Sequence, residues 1–301
     1  MDGLTSADLL PPGYGAAPRP ALSIRNLTHD FVGADGTVAP VLNHLDIAVG
    51  PGEIVAIVGR SGAGKSTLFN IISGLLTPRA GQVEIAPGPD GGPGRVGYML
   101  QKDLLLPWRS VLDNALLGVE LCGGRPPGGR QSGRQGRSLA RRAAAEAMLA
   151  RYGLAGQLRA YPHSLSGGQR QRVALTRTLL VAPSVLLLVE PFSALDYETR
   201  LRLEDDVLAL RGGQGMSVVL VTHDIDEAIA MSDRVIVLGG RPARVREDIA
   251  IRLTLDGPRD AVGARAAPEF RAYHKQIWAA LKAPMDAPME TARDAPMETG
   301  P

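Results

Sequence analysis

The chain has 301 residues, enough for one domain with subdomains and a full core, and a formal net charge of +2, which gives no electrostatic case for a nucleic-acid track or a strongly anionic partner. Its one cysteine, Cys122, excludes an internal disulfide and a Cys-rich zinc site and suits a reducing cytoplasm. No apolar run approaches the roughly 18–20 residues of a membrane helix, and Asp2 and Asp8 stand where a secretory signal would be basic, so a soluble intracellular protein is expected.

In chain order, residues 1–20 are rich in Pro, Gly and Ala without periodicity, which predicts a disordered leader. Leu22 to Leu27 alternates like a half-buried strand, Thr28 to Ala39 reads as a hairpin turning at Gly36, and Val41 to Val49 as a second strand. Phe31 lies in that hairpin. It either packs on the strand face or serves as a platform for adenine, and the residues alone leave both open.

The stretch 53–75, EIVAIVGRSGAGKSTLFNIISGL, organises the rest. Ile54 to Val58 is a β-branched buried strand, and Ser66 onward has helical spacing with apolar Leu68, Phe69, Ile71 and Ile72. Between them stands Gly59-x-x-x-x-Gly64-Lys65-Ser66, the P-loop pattern in its strand–loop–helix setting. Glycines let backbone N–H groups turn inward around phosphate oxygens, and the helix N-terminus adds favourable partial charge. Lys65 supplies a cation for the β- and γ-phosphates, and the Ser66 hydroxyl suits Mg²⁺. The reading is a nucleotide site.

Gln82 to Ala86 is a short strand, followed by a loose PGPDGGPG loop and a strand from Val96 to Leu100 that runs into Gln101. The apolar, proline-broken cluster Leu105-Leu106-Pro107-Trp108 precedes helical spacing from Val111 to Leu121. Residues 122–137 are low-complexity and arginine-bearing, which fits a solvated flexible loop or a basic patch for anionic lipid head groups. Helical pattern resumes from Leu139 to Leu149, with shorter pieces to Tyr161, so 102–182 is mainly helical.

Leu165-Ser166-Gly167-Gly168-Gln169 opens another helix, and a serine with two glycines there makes an anion-facing nest without a lysine. Val185 to Val189 is an unbroken apolar strand of a parallel sheet, ending in Glu190, where ligand chemistry collects in open α/β sheets. Asp196 lies at the start of a helix over 197–210. Ser217 to Val221 is a strand ending in Thr222-His223-Asp224; Asp224 with Glu227 makes a helix cap, leaving His223 between strand and helix. Arg234 to Leu238 is a further strand, and 268–282 a helix with Trp278 expected as its packing anchor. The tail repeats Asp-Ala-Pro-Met-Glu-Thr from Asp286 and from Asp294, a composition that argues for disorder.

GRSGAGKST, Gln101, LSGGQRQR, LLLVEPFSALD and VTHD, in that order, resemble the nucleotide-binding subunit of ATP-binding cassette (ABC) transporters over roughly residues 21–283. LLPW after Gln101 and RLTLDGPRD near 252–260 are similar to the nitrate/taurine/aliphatic-sulfonate importer branch, which also includes thiamine-precursor importers. The resemblance implies an α/β P-loop NTPase fold: a RecA-like core with an antiparallel β-subdomain and an inserted α-helical subdomain at about 102–182. The ATPase domain would span 21–258, followed by a C-terminal helical segment at 259–283 and a disordered tail at 284–301.

It further implies ATP and Mg²⁺ as cofactors. Gly59, Arg60, Ser61, Gly62, Ala63, Gly64, Lys65, Ser66 and Thr67 would form the phosphate loop, with Phe31 at the adenine-stacking position. Gln101 would sense Mg²⁺ and contact the permease. Ser166, Gly167, Gly168 and Gln169 would close over ATP held by a partner subunit, with Asp196 in the adjoining D-loop. Glu190 would be the general base and His223 the switch histidine, and Ser66 and Gln101 the metal contacts. The implied setting is the cytoplasmic face of the inner membrane. There an ATP-sandwiched homodimer would serve an integral-membrane permease and, indirectly, a solute-binding protein, with no nucleic acid.

One position departs. The family has Asp before the catalytic Glu, and this chain has Val189. That Asp holds the Mg²⁺ shell, so the expectation is an intact fold with a weakened metal site. The alternative reading is a nucleotide-binding but hydrolysis-impaired switch or scaffold.

Overall fold

A computed structural model describes residues 19–88, 94–121, 134–193, 195–214 and 216–283. The expected leader up to residue 18, the tail from 284 and the loop up to residue 133 fall outside that description. Four residues assigned to the loop, 134–137, instead begin a helix.

Strands β1 (Leu22–Val32), β2 (Val38–Val49) and β4 (Ala80–Ile85) form an antiparallel sheet in the order β2-β1-β4. Between β2 and β4 in the chain lie β3 (Ile54–Gly59) and α1 (Lys65–Ile72). After β5 (Val96–Met99) come α2 (Val111–Leu121), α3 (Arg134–Arg151) and α4 (Gly167–Leu179). The chain continues through β6 (Val185–Val189), α5 (Tyr197–Gln214), β7 (Ser217–Val221), α6 (Ile225–Met231) and β8 (Arg234–Gly239). It finishes with β9 (Arg244–Ala250), α7 (Ala261–Ala266) and α8 (Phe270–Lys282). The second sheet runs β5-β6-β7-β3-β8-β9, parallel except for β9.

The unbroken apolar runs are explained by burial on both faces of this sheet. Val185 and Leu187 of β6 face α1 and the antiparallel sheet, together with Leu68, Phe69 and Ile57. Leu186 and Leu188, one residue out of step, join the opposite core with Val173, Leu175 and Leu203 of α4 and α5. Ala56, Val58, Val235 and Val237 pack on α6 and α8.

One expectation is corrected, and two elements are added. The sequence RVREDIA of β9 shows no apolar alternation, yet it pairs along β8 as an edge strand, where charged residues are tolerated. The helix expected over 268–282 is α8, and within the same 259–283 segment it is preceded by α7, which Asp260 caps through Val262 N and Gly263 N. Trp278 is not the anchor: it is 49% exposed beneath the Lys282 ammonium, while Phe270, Ile277 and Ala280 are the residues that α8 buries.

Candidate nucleotide site

Parallel register brings distant parts of the chain to one edge of the sheet. Met99 pairs with Leu188, Val189 with Val221, Ile57 with Val221, and Gly59 with Leu238. Gln101, Glu190, His223 and the 59–67 loop therefore follow strand ends that lie side by side.

The 59–67 loop has the backbone geometry that an anion site needs. Gly62 and Gly64 sit at φ of 80° and 72°, where a side chain would be strained, and a Cβ on Gly64 would fall 2.6 Å from Leu42. Gly64 caps α1 without a side-chain hydrogen bond, and the first turn carries no acid, so the positive helix end is left for an anion. Lys65 Nζ donates to the carbonyls of Gly59 at 2.6 Å and Arg60 at 3.2 Å, which lays the ammonium across the loop mouth. Burial pulls the Lys65 pKa down, and the Glu190 carboxylate lies near enough to oppose that. Arg60, Ser61, Gly62 and Ser66 are exposed and Thr67 half-buried, while Ala63 is tucked against the core.

Glu190 is the convergence point. Its backbone N–H donates to Val221 O at 2.8 Å and its φ is +45°, a sparsely populated conformation for a non-glycine residue. Gln101 Nε2 donates to Glu190 Oε2 at 2.9 Å, and His223 Nδ1 lies 3.2 Å from Glu190 Oε1. Ser193, not singled out from the sequence, completes the group: Gln101 Nε2 lies 3.4 Å from its hydroxyl, which donates to Glu190 O at 3.1 Å.

Ser166 caps α4 reciprocally with Gln169: Gln169 N–H donates to Ser166 Oγ at 3.3 Å, and Ser166 N–H to Gln169 Oε1 at 2.9 Å. Gly167 opens that helix, and a Cβ on Gly168 would meet Thr199 of α5 at 2.7 Å. Asp196 accepts from Thr199 N–H at 2.9 Å, and hydrogen bonds from Thr199 hold its carboxyl below the ordinary value. The signature opens α4, which packs on α2, α3 and β5, whereas the phosphate loop opens α1, which packs on β2 and β3.

Two arginines of α4 tie the signature helix to the segment after Gln101. Arg170 Nε donates to Asp103 Oδ2 at 3.0 Å, and Arg177 donates to the carbonyls of Asp103 at 2.6 Å and Leu104 at 2.9 Å. Their seven-residue spacing was legible as one helix face, but nothing local named their partner.

The donor set bears on the metal. Among the described residues no group of His, Cys, Asp or Glu gathers into a metal site, and Val189 packs its half-buried side chain into the core. A magnesium ion held mainly by phosphate and water needs few protein oxygens, and the candidates that remain are the Ser66 hydroxyl and the Gln101 amide, with the Glu190 carboxylate beside Gln101.

Comparison with known proteins points the same way. The family described as ABC transporter matches residues 42–193. An aliphatic sulfonates import ATP-binding protein, SsuB 1 of Xanthomonas axonopodis pv. citri (strain 306), is 45% identical over 242 residues, covering 80% of this chain and 90% of that protein. The uncharacterized ABC transporter ATP-binding protein YtlC of Bacillus subtilis (strain 168) is 38% identical over 264 residues, 86% of this chain and 95% of its own. Among solved structures, the dimeric bacterial ABC transporter cassette MJ0796 superposes with a TM-score of 0.64 at 29% identity, covering 77% of this chain and 99% of that one. The same cassette bound to ADP and Pi gives 0.62.

Proposed function

This chain belongs to the ABC transporter family as an ATP-binding, ATP-hydrolysing subunit of an importer, and from that premise we propose that the importer carries an aliphatic sulfonate or a closely related small anion. The choice of cargo rests on relatives named for sulfonate import at 41–45% identity. The hydrolysis-impaired alternative gains no support from those relatives.

The observation that carries the hydrolytic reading is the Glu190 carboxylate, held at one oxygen by Gln101 and faced at the other by His223, beside Lys65. In this reading the loop amides and Lys65 hold the β- and γ-phosphates and Phe31 stacks on the base. Glu190 takes the proton of the attacking water, while His223 and Gln101 fix the orientation of the carboxylate. Mg²⁺, held by Ser66, Gln101 and Glu190, would supply neutralisation of phosphate charge. The Ser166–Gln169 amides would close on ATP bound by a second copy, so the working form is a head-to-tail homodimer.

Gln101 and the exposed Leu104 and Trp108 would meet the membrane-embedded permease on the cytoplasmic side of the inner membrane, with a solute-binding protein beyond it. No helix among the described residues is long and apolar enough to cross a membrane. The test is steady-state ATPase activity of the chain reconstituted with its permease and solute-binding protein in liposomes. Stimulation by an alkanesulfonate, and none by nitrate, is expected. Stimulation by nitrate alone would move the cargo to another branch of the family.

A further inference from the structure

His29 is a buried residue with no evident reason to be polar. It is 8% exposed, and neither Nδ1 nor Nε2 has a hydrogen-bond partner among the described residues. An apolar side chain would fill that position without the desolvation penalty of an unpaired polar group. What His29 does touch is Phe31: the ring centroids lie 4.9 Å apart at an interplanar angle of 86°. That is the edge-to-face arrangement, in which the positive edge of one ring meets the negative face of the other.

The placement of this pair is informative. His29 and Phe31 are two apart on β1 and, although the pairing with β2 is irregular between His29 and Asp30, their ring contact puts both on the same side of the strand. In register, His29 lies opposite Leu42 and Phe31 opposite Ala39. Leu42 and Val41 are the residues that a Cβ on Gly64 would strike, so the hairpin rests directly against the phosphate loop. Phe31 is then carried about 7 Å further along the strand from that contact. It is 45% exposed, with a ring partly free to receive a base.

We infer that His29 is a positioning residue for the nucleotide base: its buried ring fixes the plane of Phe31, so that the half-exposed phenyl face is already oriented to stack. This rests on the reading of Phe31 as the base platform. A half-exposed aromatic ring on a hairpin has free rotamers to lose on binding, and a perpendicular buried partner removes them beforehand. The inference assigns His29 no contact with phosphate or metal, so its effect is confined to the base end of the ligand.

The test compares two ligands on the full-length chain by isothermal titration calorimetry: ATP, and inorganic tripolyphosphate, which has the phosphates without the base. His29→Ala should weaken ATP about threefold to tenfold and leave tripolyphosphate within about twofold. His29→Phe, which keeps an aromatic edge in a β-strand position, should restore ATP affinity to within about twofold of the parent. Unchanged ATP affinity in His29→Ala overturns the inference. So does an equal loss for both ligands, which would mark His29 as merely structural, and so does failure of His29→Phe to rescue. Phe31→Ala separates the two levels: if it spares ATP, the base platform is elsewhere. If it weakens ATP while His29→Ala does not, the platform stands and His29 has no part in it.

Discussion

His223 Nδ1 stands 3.2 Å from Glu190 Oε1, a contact made across the β6–β7 pair at the sheet edge that also carries the phosphate loop. Gln101 reaches the other carboxylate oxygen from β5 at 2.9 Å, so three strand ends converge on one acid. A carboxylate held at both oxygens keeps its plane fixed while lone pairs remain free to accept from a water, which suits the proton abstraction proposed for it.

Glu190→Gln keeps the hydrogen-bonding shape and removes the carboxylate proposed as the base. ATP binding should be retained while hydrolysis falls by on the order of 10²-fold or more. The ATP-bound dimer should then persist long enough for light scattering after size-exclusion chromatography. A variant that stays monomeric with ATP and Mg²⁺ at high protein concentration would count against the composite site.

Val189 contributes no oxygen at the point where β6 reaches the site. Val189→Asp adds a carboxylate at the end of β6, on the face packed toward α1, and should lower the Mg²⁺ concentration for half-maximal ATPase activity by about tenfold or more, with less change in ATP affinity because Lys65 and the loop amides are untouched. ATPase activity titrated with Mg²⁺ for both proteins checks this. Equal midpoints would mean that another group already performs the role.

The segment after Gln101 presents an apolar surface of uneven use. Leu104, 54% exposed with φ of +46°, and Trp108, 72% exposed, point outward, whereas Leu105 belongs to the core. Cysteines at 104 and 108 should crosslink to the permease, and a cysteine at 105 should not. Arg177→Met, which removes the donor to the Asp103 and Leu104 carbonyls, should lower the yield at 104 severalfold by loosening the segment.

A pH effect is expected from Glu227, four residues beyond His223. Burial, reinforced by Glu204 and Asp224, pushes its carboxyl up to about 8. Below the ordinary carboxylate range both folded and unfolded chains hold the proton. As pH rises from there toward about 8, the unfolded chain ionises first, so stability falls across that window. Glu227→Gln removes this component and should be more stable than the parent above about pH 8, by on the order of a few kcal/mol. Thermal midpoints measured from about pH 5 to pH 9 should slope less in the variant; identical slopes would show that Glu227 is not the group responsible.

What the sequence determined by itself was local. The phosphate loop could be read because its chemistry lies within nine consecutive residues, Gly59 to Thr67, whose glycines and helix start act on their own backbone. The β6 and β7 strands were legible because burial on both faces leaves an unbroken apolar run, and the Asp224 cap of α6 because a helix cap acts on backbone only two or three residues away. The family resemblance extended this to Gln101, Glu190 and His223, but only parallel register puts them around one carboxylate. Tertiary structure alone decided the rest. The polar edge strand β9 exists because β8 offers it hydrogen bonds. Trp278 stays outside because the adjacent Ile277 takes the core-facing position. Arg170 and Arg177 find Asp103 through contacts that no sequence spacing encodes, and the burial of His29 beside a half-exposed Phe31 is set by the packing of the hairpin.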